Sequence, residues 1–339
     1  MRLMLGNVQS FDEVSSLLRS EAKLWQEDRV VPLNKIYATP EGTVTSLQTG
    51  PLTITPWAKK QLSTLLGIRW ERWFDKVSGA ELAEEINRRL YRSEESIKLR
   101  IRAPRPGEAS SGDEAVLAAL VSKSYTPIED MRVWNNLNQV LSANARKAVG
   151  VIPPQFTDRS THLCVLGENP VEVKIGNETE TYYAGFYLRN SQVGFTALTI
   201  DIYFLRLVCV NGLMVSTNEF QLLYRTHRPI VEKALNTLLH QSLSGLEGRW
   251  EQGLSLLGSA GQKKLINPEV VLKNYLRQVP GMRHLNKPII EELNRSSDSS
   301  AFNLIQAMTH VAKGLPQPDQ RYELERLAGE LLLAKETEV

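Results

Sequence analysis

The sequence predicts a mixed α+β fold with a central antiparallel sheet, a long helix packed on it, an α/β N-terminal region and a helical C-terminal region. Helical spacing of apolar residues near the N-terminus gives way, between Thr161 and Val215, to short turn-separated segments rich in β-branched and aromatic residues. Helical spacing then returns after Pro229. Apolar residues make up 42% of the 339 positions, which is enough for a sizeable core.

The N-terminal region, residues 1–150, is predicted to alternate helices and strands. Ser10 and Glu13 form a capping box that begins a helix, and Thr55-Pro56 begins another that ends at Gly67. A hairpin turn is expected at residues 40–42. Further helices are predicted over residues 80–91 and 129–143, strands over 96–103 and 115–122, and a mobile loop over 104–112.

The second region, residues 151–250, is predicted to hold the antiparallel sheet and the long helix. Asn211-Gly212 is a dipeptide typical of hairpin turns, and we expect one there. The helix is expected to run from Pro229 to Ser244 and to place its apolar face on the sheet. The third region, residues 251–339, is predicted to be helical.

Charge and cysteine content exclude several classes of protein. The net charge is only +2, from 40 basic and 38 acidic residues, so the chain is no polycation. Two cysteines, Cys164 and Cys209, are too few for a disulfide scaffold, and we expect buried reduced thiols. No apolar run is long enough to span a bilayer, so we expect no membrane association and a cytoplasmic location.

Four segments in order carry a resemblance to a known family. They are residues 52–68, residues 121–128, residues 190–194 with 205–213, and residues 307–310 with 324–329. Together they resemble a phage- and plasmid-borne family defined by domain of unknown function nine-three-two, with a departure at residues 69–73. The strand-rich block and long helix are also similar in outline to phage single-strand annealing proteins. These resemblances imply nucleic-acid transactions, single-stranded DNA as partner, a homo-oligomer and no cofactor.

Three cations on one predicted strand are the leading candidates for contacts with DNA. Lys98, Arg100 and Arg102 alternate, which places them on one face at about 6.6 Å intervals, close to the phosphate spacing of an extended single strand. Residues 59–105 contain 12 basic and 7 acidic residues. The open alternative is a solvated strand face paired with Glu94 and Glu95.

Further candidates flank this strand or begin the long helix. The tryptophans could stack on bases, with core packing as the alternative. Cations at the start of a helix can bind an anion such as a phosphate. The candidate residues are Arg88, Arg89, Arg92, Arg105, Lys59, Lys60, Trp70, Trp73, Arg225 and Arg228.

The leading hypothesis is sequence-independent binding of single-stranded DNA, extended to strand annealing in phage or plasmid recombination. Two alternatives remain. Glu172-Val-Lys174 on a predicted strand, with Asp158 preceding it, matches part of a metal-dependent nuclease site. The other alternative is an assembly protein that binds no nucleic acid. We assign no catalytic residue, metal ligand or cofactor.

Overall fold

The computed structural model describes residues 8–68, 78–108, 115–143, 148–207, 211–215, 220–296 and 298–334. Within these ranges the fold is α+β, as predicted, and contains two sheets. The helices are α1 (Phe11–Ala22), α2 (Pro56–Leu65), α3 (Gly79–Tyr91), α4 (Asp130–Ala143), α5 (Glu232–Ser244), α6 (Leu246–Ala260), α7 (Pro268–Leu276), α8 (Asn286–Leu293), α9 (Ala301–Lys313) and α10 (Pro318–Leu333). The strands are β1 (Arg29–Pro32), β2 (Ile36–Ala38), β3 (Thr43–Ser46), β4 (Gly50–Ile54), β5 (Ser96–Arg102), β6 (Ala115–Val121), β7 (Ala148–Phe156), β8 (Thr161–Ile175), β9 (Glu178–Asn190), β10 (Leu198–Arg206), β11 (Asn211–Val215) and β12 (Gln221–Arg225).

The first sheet has the strand order β1-β5-β6-β4-β3-β2. Strands β4 and β6 are parallel, and the other neighbours are antiparallel. Helices α2 and α3 cover one face and enclose a smaller core that includes Leu62, Leu90, Leu99 and Leu117. Local signals mark the ends of these and the preceding helix: Ser78 begins α3 and Ser10 begins α1 with capping boxes, and Gly67 follows the end of α2 with φ of 65°.

The second sheet is antiparallel, with the order β11-β10-β9-β8-β7, and β12 shares the outer edge of β10 with β11. This confirms the predicted sheet. Helix α5 buries Leu235, Leu239 and Leu243 in the core, but it begins at Glu232, three residues later than expected. Val231 is extended, and the carbonyl of Ile230 accepts a 2.6 Å hydrogen bond from Arg132, so this carbonyl is held outside the helix.

The expected turn at Asn211-Gly212 was wrong. Both residues lie inside β11, where they pair with Arg206 and Leu205 of β10. A Cβ atom on Gly212 would lie 2.0 Å from the hydroxyl oxygen of Tyr203. The glycine is therefore needed to make room for a buried tyrosine across the sheet, and not for backbone freedom in a turn.

The hydrophobic cores group distant parts of the chain. Helices α1 and α4 contribute Val14, Leu18 and Trp134 to the same large core as the second sheet and the C-terminal helices. In the sequence, the strands of the first sheet therefore lie between two helices of the large core. The division into regions 1–150, 151–250 and 251–339 remains a prediction.

Of the two cysteines, Cys164 is a buried free thiol, and Cys209 lies outside the described residues. None of the described helices has both the length and the apolar character that crossing a bilayer requires.

Candidate functional site

The three cations of β5 lie on one face of the strand, opposite Leu99 and Ile101, which enter the smaller core. The expectation that this face is solvated was wrong for two of them. Arg100 is 4% exposed and Arg102 is 1% exposed. The reason is that Trp25 and its neighbours cover this side of the strand: Trp25 pairs with Arg102 and the guanidinium of Arg100 lies 4.6 Å from the Trp25 ring.

The partners of these cations also differ from Glu94 and Glu95, which the alternative interpretation proposed. Arg102 donates two 2.6 Å hydrogen bonds to the carboxylate of Glu108. Arg105 donates to Glu21 at 2.6 Å and to the carbonyl of Thr157 at 2.6 Å. Lys98 donates to the carbonyl of Tyr125 at 2.6 Å. These contacts join β5 and the following loop to α1 and to the second sheet.

An open cleft of about 830 Å³ lies beside Lys98 and Arg100. Its lining has three cations (Lys98, Arg100, Arg132) and five carboxylates (Glu21, Glu27, Asp28, Glu129, Asp130). Glu21 pairs with Arg105 and Arg132 pairs with Glu232, both outside the lining, which leaves two cations and four carboxylates. Burial lowers the pKa of Arg100, and Asp28 and other neighbouring carboxylates oppose that effect. The nearest carboxylate contact, to Asp28, is 3.5 Å long. A cleft with this charge repels a chain of phosphates.

The other predicted residues are scattered over the molecule. Arg88 and Arg89 both bind Glu85, and Arg89 also donates to the carbonyl of Leu66. Arg92 is exposed at the end of α3, Lys59 is half-buried, and Lys60 is exposed. Arg225 is half-buried in β12 and Arg228 lies in the segment before α5, so neither begins that helix. Trp70 and Trp73 lie outside the described residues.

A buried polar cluster that the sequence did not indicate surrounds Asp319 at the start of α10. Its carboxylate accepts hydrogen bonds from Ser160 at 2.7 Å, Arg159 at 2.8 Å and Arg189 at 3.2 Å. His162 Nε2 lies 3.2 Å from Asp319 Oδ1 and 2.9 Å from Ser160 Oγ. Burial lowers the pKa of His162, so the ring is neutral at pH 7.

The cluster contains serine, histidine and aspartate, but its geometry is not that of a nucleophilic triad. In such a triad the serine and the aspartate bind different ring nitrogens. Here both contact Nε2 of His162, while Nδ1 has no hydrogen-bond partner within the described part of the chain. Ser160 is also buried. The cluster is therefore structural, joining the β7–β8 turn to α10.

A hollow whose charged lining residues are all basic lies in the C-terminal region. This hollow of about 470 Å³, here called the basic hollow, is lined by Lys273, Leu276, Arg277, Arg283, His284, Asn286 and Lys287. Among the described residues no carboxylate lines it. The sequence does contain a signal, because residues 261–290 have 6 basic residues and 1 acidic residue.

A second hollow of about 580 Å³ adjoins the basic hollow across the connector 276–283. It contains Arg159, Arg189 and Arg326 with the carboxylates of Asp319 and Glu323. Arg159 and Arg189 lie 4.4 Å and 5.1 Å from the ring of Phe195. The two hollows together have seven lysines and arginines and two carboxylates, and we call them the basic surface.

The nuclease fragment does not form a set of metal ligands. Glu172 and Lys174 are exposed on β8, opposite Thr181 and Thr179. Asp158 accepts a 2.9 Å hydrogen bond from the backbone N–H of Trp57 and lies before the other end of β8. A strand advances about 3.3 Å per residue, so Asp158 and Glu172 are tens of ångströms apart along the chain direction. Over the described ranges no group of three potential ligand side chains could hold a metal ion.

The resemblance to the phage- and plasmid-borne family remains a prediction from the sequence. In comparisons with known proteins, no family model, no curated protein and no solved structure matches this chain.

Proposed function

We propose that the chain binds the phosphate backbone of single-stranded DNA, without reading the bases, through the basic surface. The observation that carries this proposal is the basic hollow, which is lined by Lys273, Arg277, Arg283 and Lys287 and, among the described residues, by no carboxylate. The carboxylates that pair with Lys273 and Lys287 lie outside this lining. Like charges gathered in one concave place repel each other, and an anion relieves that repulsion.

A single strand suits this surface better than a duplex. The two hollows are separate concave places lined by neighbouring residues of the connector 276–283, so a ligand that contacts both must adapt to two concave surfaces. Duplex DNA is stiff, with a persistence length of about 50 nm, so it adapts poorly to two separate hollows. A single strand is flexible, and arginine side chains can hold its phosphates whatever the bases.

The sequence predicted a different contact surface for DNA, the cations of β5. Their internal partners support a structural role, because displacing Glu108 from Arg102 would leave a buried charge unpaired. Strand annealing and self-association are proposals that rest on the resemblance alone.

A metal-dependent nuclease is the second candidate function from the sequence. Loss of Mg²⁺-dependent DNA cleavage in Glu172→Ala would support it.

The test is a salt titration of binding to a fluorescent oligothymidylate. The test variant replaces Lys273, Arg277, Arg283 and Lys287 by alanine, all of them exposed, so the fold should be retained. Each lost contact lowers the slope of log K against log salt by about 0.7, so the variant should lose up to about 3 units.

The matched control replaces two lysines and two arginines that are also exposed but lie outside both hollows: Lys35, Lys233, Arg19 and Arg29. Its slope should match that of the unmodified chain. Equal slopes for the test variant and the control, or no binding by the unmodified chain, would contradict the proposal. A lower slope in Lys98→Ala alone would instead locate the contacts on β5.

A further inference from the structure

We infer that the basic hollow binds a terminal phosphate of the strand, a phosphate monoester, in preference to the phosphodiesters within it. This inference rests on the proposed function, since it names which group of the DNA occupies one part of the basic surface. Three features of the hollow support it: its net charge, the type of its free cations, and its place at the start of α8.

The net charge of the hollow matches a monoester. Lys273 is 2.6 Å from Glu269 and Lys287 is 3.8 Å from Glu291, so each lysine has a carboxylate partner outside the hollow. Arg277 and Arg283 have no ion pair among the described residues, which leaves a net charge of two. A phosphate monoester has a charge of about −1.5 to −2 near pH 7, whereas a phosphodiester has only one negative charge.

The two uncompensated cations are both arginines. The planar guanidinium offers paired N–H donors that fit two phosphate oxygens at once, which lysine cannot do. A terminal phosphate presents three unesterified oxygens, and so it can occupy two arginines, whereas an internal phosphate presents two. The hollow therefore has donors that an internal phosphate leaves unused.

Other groups in the lining of the basic hollow also favour an anion. The Nδ2 amide of Asn286 is buried and has no hydrogen-bond partner within the described residues. Asn286 is the first residue of α8, which directly follows the single 3-10 turn Arg283–Leu285, and no side chain caps the start of either helix. The N-terminal end of a helix has a partial positive charge, which favours an anion. His284 lines the same hollow, with Nδ1 held 2.7 Å from the carbonyl oxygen of Gly281.

The experiment compares oligothymidylates of one length with a 5′-phosphate, with a 3′-phosphate, and with hydroxyls at both ends. For the unmodified chain we expect at least one phosphorylated strand to bind about tenfold more tightly than the hydroxyl strand. In Arg277→Ala/Arg283→Ala the ratio should fall to within about twofold, and in the matched control Arg19→Ala/Arg29→Ala it should remain about tenfold.

The outcomes separate this inference from the function on which it rests. Equal binding of all three strands, each with a steep salt slope, would overturn the inference and leave the function standing. A preference that survives in the double variant would also overturn it. No binding of any strand would remove both. Thymidine 5′-monophosphate serves as the last probe: tighter binding of this free nucleotide than of the phosphorylated strand would show that the hollow is not a site for strand ends.

Discussion

At the scale of single residues, Asp319 shows how a buried charge is retained. Burial by itself would raise the pKa of its carboxyl group, but hydrogen bonds from His162, Arg159 and Ser160 outweigh burial and hold the pKa well below its ordinary value. The carboxylate in turn neutralises part of the charge of Arg159 and Arg189, whose guanidinium groups lie over the ring of Phe195 in the lining of the second hollow. Asp319 therefore positions two cations of the basic surface.

Asp319→Asn should destabilise the protein by about 3 kcal/mol at pH 7, because removing one partner leaves buried charges uncompensated. The folded-state pKa is depressed, so the stabilisation is present above the unfolded-state pKa of about 3.9 and is lost as the pH falls below it. Urea unfolding at pH 7 and at pH 3 should therefore show a difference between the two proteins that shrinks in acid.

Glu323→Gln is the control for this prediction. Glu323 also binds Arg189, at 3.2 Å, but its side chain is 26% exposed, so its removal should change the free energy of unfolding by less than about 1 kcal/mol. Equal stabilities of Asp319→Asn and Glu323→Gln would show that the cluster around Asp319 does not stabilise the fold.

At the scale of elements, helix α10 approaches strand β11 closely at a glycine. A Cβ atom on Gly329 would lie 1.8 Å from the carbonyl oxygen of Met214, which cannot move without moving the strand. Gly329→Ala should therefore destabilise by about 1–3 kcal/mol, the usual range for overpacking. Gly248→Ala in α6 should instead stabilise by up to about 1 kcal/mol, because a Cβ atom there would meet no described atom within 4 Å other than its chain neighbours and its own helix backbone. Urea unfolding measures both, and a stable Gly329→Ala would contradict the close approach.

Local signals predicted most elements, since a capping box or a proline at a helix start acts over a few residues. Contacts between distant elements were not predictable in that way. The alternative interpretation paired the β5 cations with Glu94 and Glu95, but the loop after β5 places Glu108 beside Arg102, and Arg105 reaches Glu21 in α1. The surplus of basic residues in 59–105 indicated that cations are present there. It could not show that carboxylates from other parts of the chain pair with them in the folded protein. The basic hollow was missed, although two pairs of cations four residues apart, Lys273 with Arg277 and Arg283 with Lys287, are readable in the sequence.

At the scale of the whole molecule, the chain leaves the large core after α1 and returns to it at α4. The two helices contact each other: the rings of Phe11 and Trp134 stack with centroids 5.2 Å apart, and Trp134 Nε1 donates to Ser15 Oγ at 2.7 Å. The segment between them builds the first sheet around its own, smaller core. Contacts between this segment and the second sheet's part of the chain include the hydrogen bond from Trp57 Nε1 to the carbonyl of Val193, at 3.0 Å.

Because the smaller core is separate and both ends of its segment are held in the large core, we expect the first sheet to unfold locally while the second sheet stays folded. Leu117→Ala, at a fully buried position of the smaller core, should lower the free energy of local opening by about 2–5 kcal/mol. Native-state hydrogen exchange should then show faster exchange in β5 and β6, with little change in β9 and β10.

Leu239→Ala, at a fully buried position of the large core, is the counterpart of that variant. It should speed exchange in β9 and β10, and also in β5 and β6, because the helices that hold the ends of the first sheet's segment belong to the large core. If Leu117→Ala accelerated hydrogen exchange equally in both sheets, the two cores would unfold as one cooperative unit. The prediction that the first sheet opens separately would then be wrong.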